Sequence, residues 1–259
     1  MKSLENLLNL LSNRNLSYYD FVARAKNSII SDKFDIKDVS MWQMQGLSIE
    51  RFADKIELKT RTNSINEQEF CIVDIETSGG MSSGQIIEIG AVKIKNAVEI
   101  SHFQSLVHAT NIPESISELT GIYDSDLVDA PPLAKVLENF RVYLGDAVFV
   151  AHNVNFDYNF ISHSLESMGF GMLLNRKICT IELARRTIKS ERYGLESLKN
   201  LLGINSTHHR ALSDARAACE VFKTSLMCLP NSVKHTEELI KFSKSAPKHY
   251  KDKTPSLEI

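Results

Sequence analysis

Asp74 and Glu76 stand two residues apart in "CIVDIETSGG" (residues 71–80), a run that otherwise begins as a buried β-strand. Alternate side chains of a strand share a face, so both carboxylates point the same way. Like charges this close raise each other's cost of ionisation, and charge in an apolar run is costly unless something offsets it. A divalent cation reverses the balance. Mg²⁺ and Mn²⁺ favour hard oxygen ligands and commonly take one or two carboxylates plus substrate phosphate oxygens. A lone D-x-E is more often a strand end whose acids reach solvent, so the metal reading depends on other residues.

Three others supply that context. Asp157 follows "AHNVNF" at the start of a helical stretch, where a carboxylate also suits the helix dipole. Asp214 lies in "HHRALSDARAA", one of few acids in an alanine-rich helix that must pack closely. His209 precedes it by five residues, and a histidine titrating near neutral pH can serve as general base. Taken singly, each has an ordinary explanation as a dipole partner, a solvent-facing acid or a surface histidine.

The elements that would position these groups follow from periodicity. "FCIVDIE" carries apolar residues on both faces, as a central strand does. "IIEIGAVKIKNAVEISHFQSLV" supplies two more strands paired around Lys95–Ala97, and "AVFVAH" a short one. Helical spacing marks "IPESISELTGI", "PPLAKVLENFRVYLG", "NFDYNFISHSLESMGF", "TIELARRTI", "GLESLKNLLGI" and "LSDARAACEVFKTSLMCL". Strands first, then strands alternating with helices, predict an α/β fold with a mixed sheet covered by helices.

Residues 1–66 read differently: short helices around "LENLLNLL", "SYYDFVARAKNSII" and "DVSMWQMQ", then a hairpin ending in "KIELK". This predicts a small winged-helix-like or plain helical module, its start a helix rather than a secretory signal. The hydrophilic "TRTNSINEQ" (60–68) reads as a linker, residues 67–230 as the main domain and 231–259 as a flexible basic tail.

The 259 residues are 43% hydrophobic and 24% charged, ordinary globular composition, and no stretch approaches the roughly 18 apolar residues of a membrane span. Cys71, Cys179, Cys219 and Cys228 are scattered with no C-x-x-C pair, which speaks against structural zinc or a disulfide framework and for a reducing cytoplasm. The net charge of −2 divides into +2 for residues 1–66, −6 for 67–230 and +2 for 231–259. Bulk charge alone therefore does not suggest a nucleic-acid partner.

The order D-x-E, an Asp opening a helix about 80 residues later, then H-x-x-x-x-D about 50 residues beyond resembles the DEDD superfamily of 3′–5′ exonucleases, in its histidine-bearing, DnaQ-like branch. That branch includes the proofreading epsilon subunit of bacterial DNA polymerase III, which this sequence resembles most, as well as ribonuclease T and oligoribonuclease. "VDIETSGG", "IIEIGAVKI", "PESISELTGI", "VAHNVNFDYNFI", "CTIELARR", "GLESLKNLLGI" and "HHRALSDARAA" fall in the family's order across residues 69–228. Ser78 stands where the family often has a second threonine.

The resemblance implies a ribonuclease H-like fold in which Asp74, Glu76, Asp157 and Asp214 hold two divalent metal ions, Mg²⁺ or Mn²⁺, and His209 is the general base. It implies that Thr77 and the Thr120–Gly121 segment grip the terminal nucleotide. Phe156 and Phe160, four apart on one helix face, meet either unpaired bases or the core. The expected activity is release of nucleoside 5′-monophosphates from the 3′ end of single-stranded DNA or a frayed primer, beside a replicative polymerase subunit. RNA end-trimming and an inactive adaptor are the alternatives. "KTSLMCL" (223–229) faintly resembles the clamp-binding peptide of the epsilon family, against the simpler reading of continued helix. A fragment of residues 66–230 is expected to fold alone, leaving the tail either to dock a polymerase partner through Phe242, Tyr250 and Leu257 or to hold nucleic-acid phosphates through its six lysines.

Overall fold

The computed structural model describes residues 2–205 and 210–246. The N-terminal segment contains α1 (Lys2–Leu11), β1 (Leu16–Ser17), α2 (Tyr18–Ala25), α3 (Val39–Met44), β2 (Ile49–Phe52) and β3 (Lys55–Leu58). Its strands form an antiparallel sheet in the order β1-β3-β2. The helices and hairpin fall where expected, with Leu16–Ser17 adding a short third strand to the hairpin. The leucine repeat of α1 places Leu7 and Leu11 in a core with Phe21 and Trp42. The buried indole N–H of Trp42 donates to the carbonyl of Ile36 at 3.0 Å, as a buried ring nitrogen must.

The main domain begins with β4 (Glu69–Thr77), β5 (Ile86–Lys95), β6 (Val98–Leu106), α4 (Glu114–Thr120), α5 (Asp124–Leu127), α6 (Leu133–Leu144) and β7 (Val148–Ala151). It continues through α7 (Val154–Ser167), β8 (Lys177–Cys179), α8 (Thr180–Thr187), α9 (Leu195–Leu202), α10 (Ala211–Met227) and α11 (Thr236–Lys244). The five-stranded sheet runs β6-β5-β4-β7-β8. Strands β4, β5 and β6 pair antiparallel, whereas β7 lies parallel to β4 and β8 parallel to β7.

Strand β4 buries both faces. Cys71, Val73 and Ile75 pack with Phe140 of α6 and Phe160 and Ile161 of α7. Phe70 and Ile72 pack on the opposite side with Leu212, Ala215, Ala218 and Phe222 of α10. Asp74 and Glu76 share the parity of Phe70 and Ile72, so they face α10. The 223–229 stretch continues α10 as far as Met227, in keeping with the helical reading.

Part of the expected tail is instead core. Leu239, Ile240 and Phe242 of α11 are buried, the last 3% exposed, and they join the cluster of Phe70 and Phe222. The helix is nine residues long and starts with Glu238 accepting from the backbone N–H groups of His235 (2.9 Å) and Lys234 (2.8 Å). Phe242 is therefore a packing residue rather than a docking contact. Tyr250 and Leu257 lie outside the described residues.

The segment expected to be a linker is likewise held. The Thr60 hydroxyl donates to Glu237 at 2.9 Å, Thr236 N–H donates to Asn63 O at 3.1 Å, and Ser64 forms an antiparallel bridge with His235. The N-terminal module is also docked: Arg141 of α6 donates to the carbonyl of Met44 at 3.0 Å, and Leu174 completes the module's core. Among the described residues no helix is long and apolar enough to cross a membrane.

Candidate active site

Three elements end at one place. Asp74 and Glu76 project from the C-terminal part of β4, opposite Gly90 and Glu88 of β5, and the register shifts between Glu76 and Thr77. Because β7 is parallel to β4, the chain leaves β7 at the same end of the sheet. Asn153, with φ 73°, then turns it into α7, a left-handed conformation that asparagine tolerates better than most residues. Asp157 sits in the first turn of α7 and Asp214 in the first turn of α10. Both helix N-termini favour negative charge.

Carboxylate oxygens of Asp74, Glu76 and Asp214 lie within 4.8 Å of one another. Asp157 is 3% exposed. Burial pushes the Asp74 carboxyl well above its ordinary range, helped by the charges of Asp157, Glu76 and Asp214. Burial, with Asp214 and Glu88, raises Glu76 to about 7, while Arg210 opposes the shift. Asp157 is also raised to about 7 by burial, against the N–H groups of its own backbone and of Ile75, which favour the ionised form. Four acids that repel one another this strongly, offering only hard oxygen donors, fit a divalent-cation centre.

These shifts carry a consequence for the metal-free protein. An acid whose folded pKa is raised binds its proton more tightly in the native state than in the unfolded chain. The native state thus holds more protons between about pH 4 and pH 7, and stability from this source falls as pH rises through that window. In EDTA, the melting temperature of wild type should fall relative to Asp157→Asn as pH is raised from 4 to 8. Parallel curves would refute the linkage.

The other expected site residues fall out as follows. Thr77 is half-buried at the end of β4. Phe156 is 42% exposed beside Asp157, its ring 5.8 Å from that of Phe160, which is core. The pair thus divides, one ring facing solvent and one facing inward. Gly121 ends α4 in the left-handed region at φ 68°. The Thr120 hydroxyl is committed to that same helix end, donating to Ile116 O (2.9 Å) and accepting from Ile122 N–H (3.2 Å). Its side chain therefore serves local structure. His209 lies outside the described residues.

Two residues near the acids carried no role in the sequence reading. His152 bonds through Nδ1 to Thr180 Oγ1 at 2.8 Å, and burial lowers its pKa to about 4. Burial thus favours the neutral ring, and the Thr180 contact holds it in place. Glu88 is fully buried on β5. The signal for it was an acid inside the apolar run "IIEIGAV".

The fold and the acidic cluster together define a nuclease-like α/β domain. A family model described as "Exonuclease" (RNase_T) matches residues 71–222, and the chain belongs to this family of the DEDD exonucleases. The chain is 36% identical over 197 residues to a PolC-type DNA polymerase III of Staphylococcus aureus (strain bovine RF122 / ET3-1), covering 74% of this chain and 13% of that protein. It is 38% identical over 172 residues to the PolC-type enzyme of Staphylococcus haemolyticus, covering 64% and 12%. The exonuclease family is the one expected, but these relatives are PolC-type polymerase III enzymes rather than the epsilon subunit, and the chain spans about an eighth of their length.

Two solved structures share the fold. One is exonuclease X in complex with 5′-overhanging duplex DNA, at 24% identity and TM-score 0.50, covering 65% of this chain and 99% of that one. The other is E. coli exonuclease I in a zinc-bound complex with single-stranded DNA, at 16% identity and TM-score 0.57, covering 64% and 42%.

Proposed function

We propose that this chain is a divalent-metal-dependent 3′–5′ exonuclease that removes nucleoside 5′-monophosphates from DNA. The observation that carries the reading is the convergence of Asp74, Glu76 and Asp214, with their carboxylate oxygens within 4.8 Å and buried Asp157 alongside. These four would hold two ions, Mg²⁺ or Mn²⁺. The chemistry such ions supply when bound is Lewis-acid polarisation of the phosphodiester and neutralisation of charge on the attacking and leaving oxygens.

The chain's own groups do the rest. His209, five residues before Asp214 in the sequence, is assigned the proton of the attacking water. Phe156, exposed beside Asp157, offers an apolar face to an unpaired terminal base. Thr77 and Gly121 are proposed to contact the terminal nucleotide. The PolC-type relatives support a frayed primer 3′ end as substrate and a replicative polymerase as partner. Four free cysteines suit a cytoplasmic setting.

The test is degradation of end-labelled single-stranded DNA, mismatched primer-template and short RNA with Mg²⁺ or Mn²⁺. Release of monophosphates from the 3′ end of DNA supports the proposal. Preference for RNA would replace the substrate, and no hydrolysis would leave an adaptor. His209→Ala should lower turnover by roughly 10²–10⁴-fold, the range for a lost general base, and His208→Ala by far less. Equal losses in the two variants would move the base elsewhere.

A further inference from the structure

The buried carboxylate of Glu88 has a closed set of partners. It accepts from Arg210 Nε at 3.2 Å and Nη2 at 3.0 Å, from the backbone N–H of Ala211 at 3.0 Å, and from Gln104 Nε2 at 2.9 Å. A charge with no exposure requires such a set. Its neighbours Asp74 and Glu76 are instead crowded by other acids. Glu88 is thus already satisfied by donors and is not one of the acids gathered for a cation.

Its position explains what those donors accomplish. In the β4–β5 register Glu88 lies opposite Glu76, and Gly90 lies opposite Asp74. Gly90 is the point at which α10 rests on the sheet: a Cβ there would fall 2.1 Å from the backbone nitrogen of Leu212. The two β5 residues across from the two β4 acids are therefore the two that seat the start of α10. Glu88 grips Arg210 and Ala211, Gly90 admits Leu212, and Asp214 follows within the same turn.

We propose that Glu88 is a positioning residue of the nuclease centre, fixing the first turn of α10 so that Asp214 meets Asp74 and Glu76. The proposal rests on the metal-dependent reading of that centre. Partners that orient metal-holding side chains typically account for about 10–100-fold in metal affinity or activity. Glu88→Gln replaces an accepting oxygen with a donor amide and breaks the fork to Arg210. Arg210→Ala removes the fork from the other side, where the side chain is 44% exposed, and leaves the buried Glu88 charge to Gln104 and the Ala211 N–H, so its melting temperature is measured with its affinity.

The experiment is a Mn²⁺ titration of the full chain followed by electron paramagnetic resonance, without substrate and well below each variant's melting temperature. Glu88→Gln and Arg210→Ala should each weaken Mn²⁺ binding by about 10–100-fold, and Arg210→Lys, which retains one contact, should recover part of the loss. In the nuclease assay kcat should fall with KM for the oligonucleotide nearly constant. Glu99→Gln breaks a second strand-to-α10 ion pair, with Arg216 at the surface, and should leave Mn²⁺ affinity unchanged. Wild-type affinity in Arg210→Ala would overturn the proposal even if Glu88→Gln fails to fold, as would a fall in melting temperature without a fall in affinity. A wild type that binds Mn²⁺ but hydrolyses nothing would refute the nuclease reading and leave the positioning test standing. A wild type that binds no Mn²⁺ would refute both.

Discussion

Asp74→Ala and Asp157→Ala are each expected to lower 3′-end degradation about 10³-fold or more while the protein stays folded. Metal charge stabilisation amounts to several kcal/mol of the barrier, and each 1.36 kcal/mol is about tenfold in rate. The fold should tolerate both changes because repulsion, not attraction, dominates this cluster. Asp74 is pushed up by burial and by four neighbouring acids, Asp157, Glu76, Asp214 and Glu88, so removing one charge relieves the rest. The metal-free variants should melt at or slightly above wild type. Mg²⁺ should raise the wild-type melting temperature, since a ligand that binds only the native state stabilises it, and should raise that of either variant much less. Equal stabilisation of all three proteins would place the cations elsewhere.

The acids were legible because their geometry is local. Strand parity puts Asp74 and Glu76 on one face, and Asp157 and Asp214 each fall in a helix's first turn. No long-range contact is needed to see either fact. Glu88 was opaque for the opposite reason. The apolar run "IIEIGAV" marks it as buried, but its partner Arg210 is 122 residues away and nothing local points to it. Thr120 illustrates a further limit: only the coordinates reveal that its hydroxyl donates to Ile116 O and accepts from Ile122 N–H.

The segments 60–68 and 236–244 differ from their sequence expectation for a related reason. "TRTNSINEQ" is polar and reads as a linker, yet Thr60, Asn63 and Ser64 bond to residues 235–237. In α11, nine residues with two lysines give a weak periodic signal. Composition reports polarity, whereas order here comes from pairing between segments more than 170 residues apart.

A fragment of residues 66–230, which looks self-sufficient from sequence, is therefore expected not to fold stably. It lacks Leu239, Ile240 and Phe242, all buried against Phe70 and Phe222. At about 1.5–3 kcal/mol for each buried side chain, the loss is roughly 5–9 kcal/mol, comparable with the whole stability of a typical domain, about 5–15 kcal/mol. It also lacks Glu237, which pairs with the Arg176 guanidinium where both side chains are largely buried. Removing one partner of such a pair costs about 3–5 kcal/mol because the other charge stays behind. Loss of the N-terminal module adds the exposure of Leu174, now 3% exposed. A fragment of residues 66–246 restores α11 and Glu237, and should recover much of the stability while still melting below the full chain. Thermal unfolding followed by circular dichroism on the three proteins checks the order. A cooperative transition for 66–230 close to that of the full chain would show that α11 and the N-terminal module are appendages.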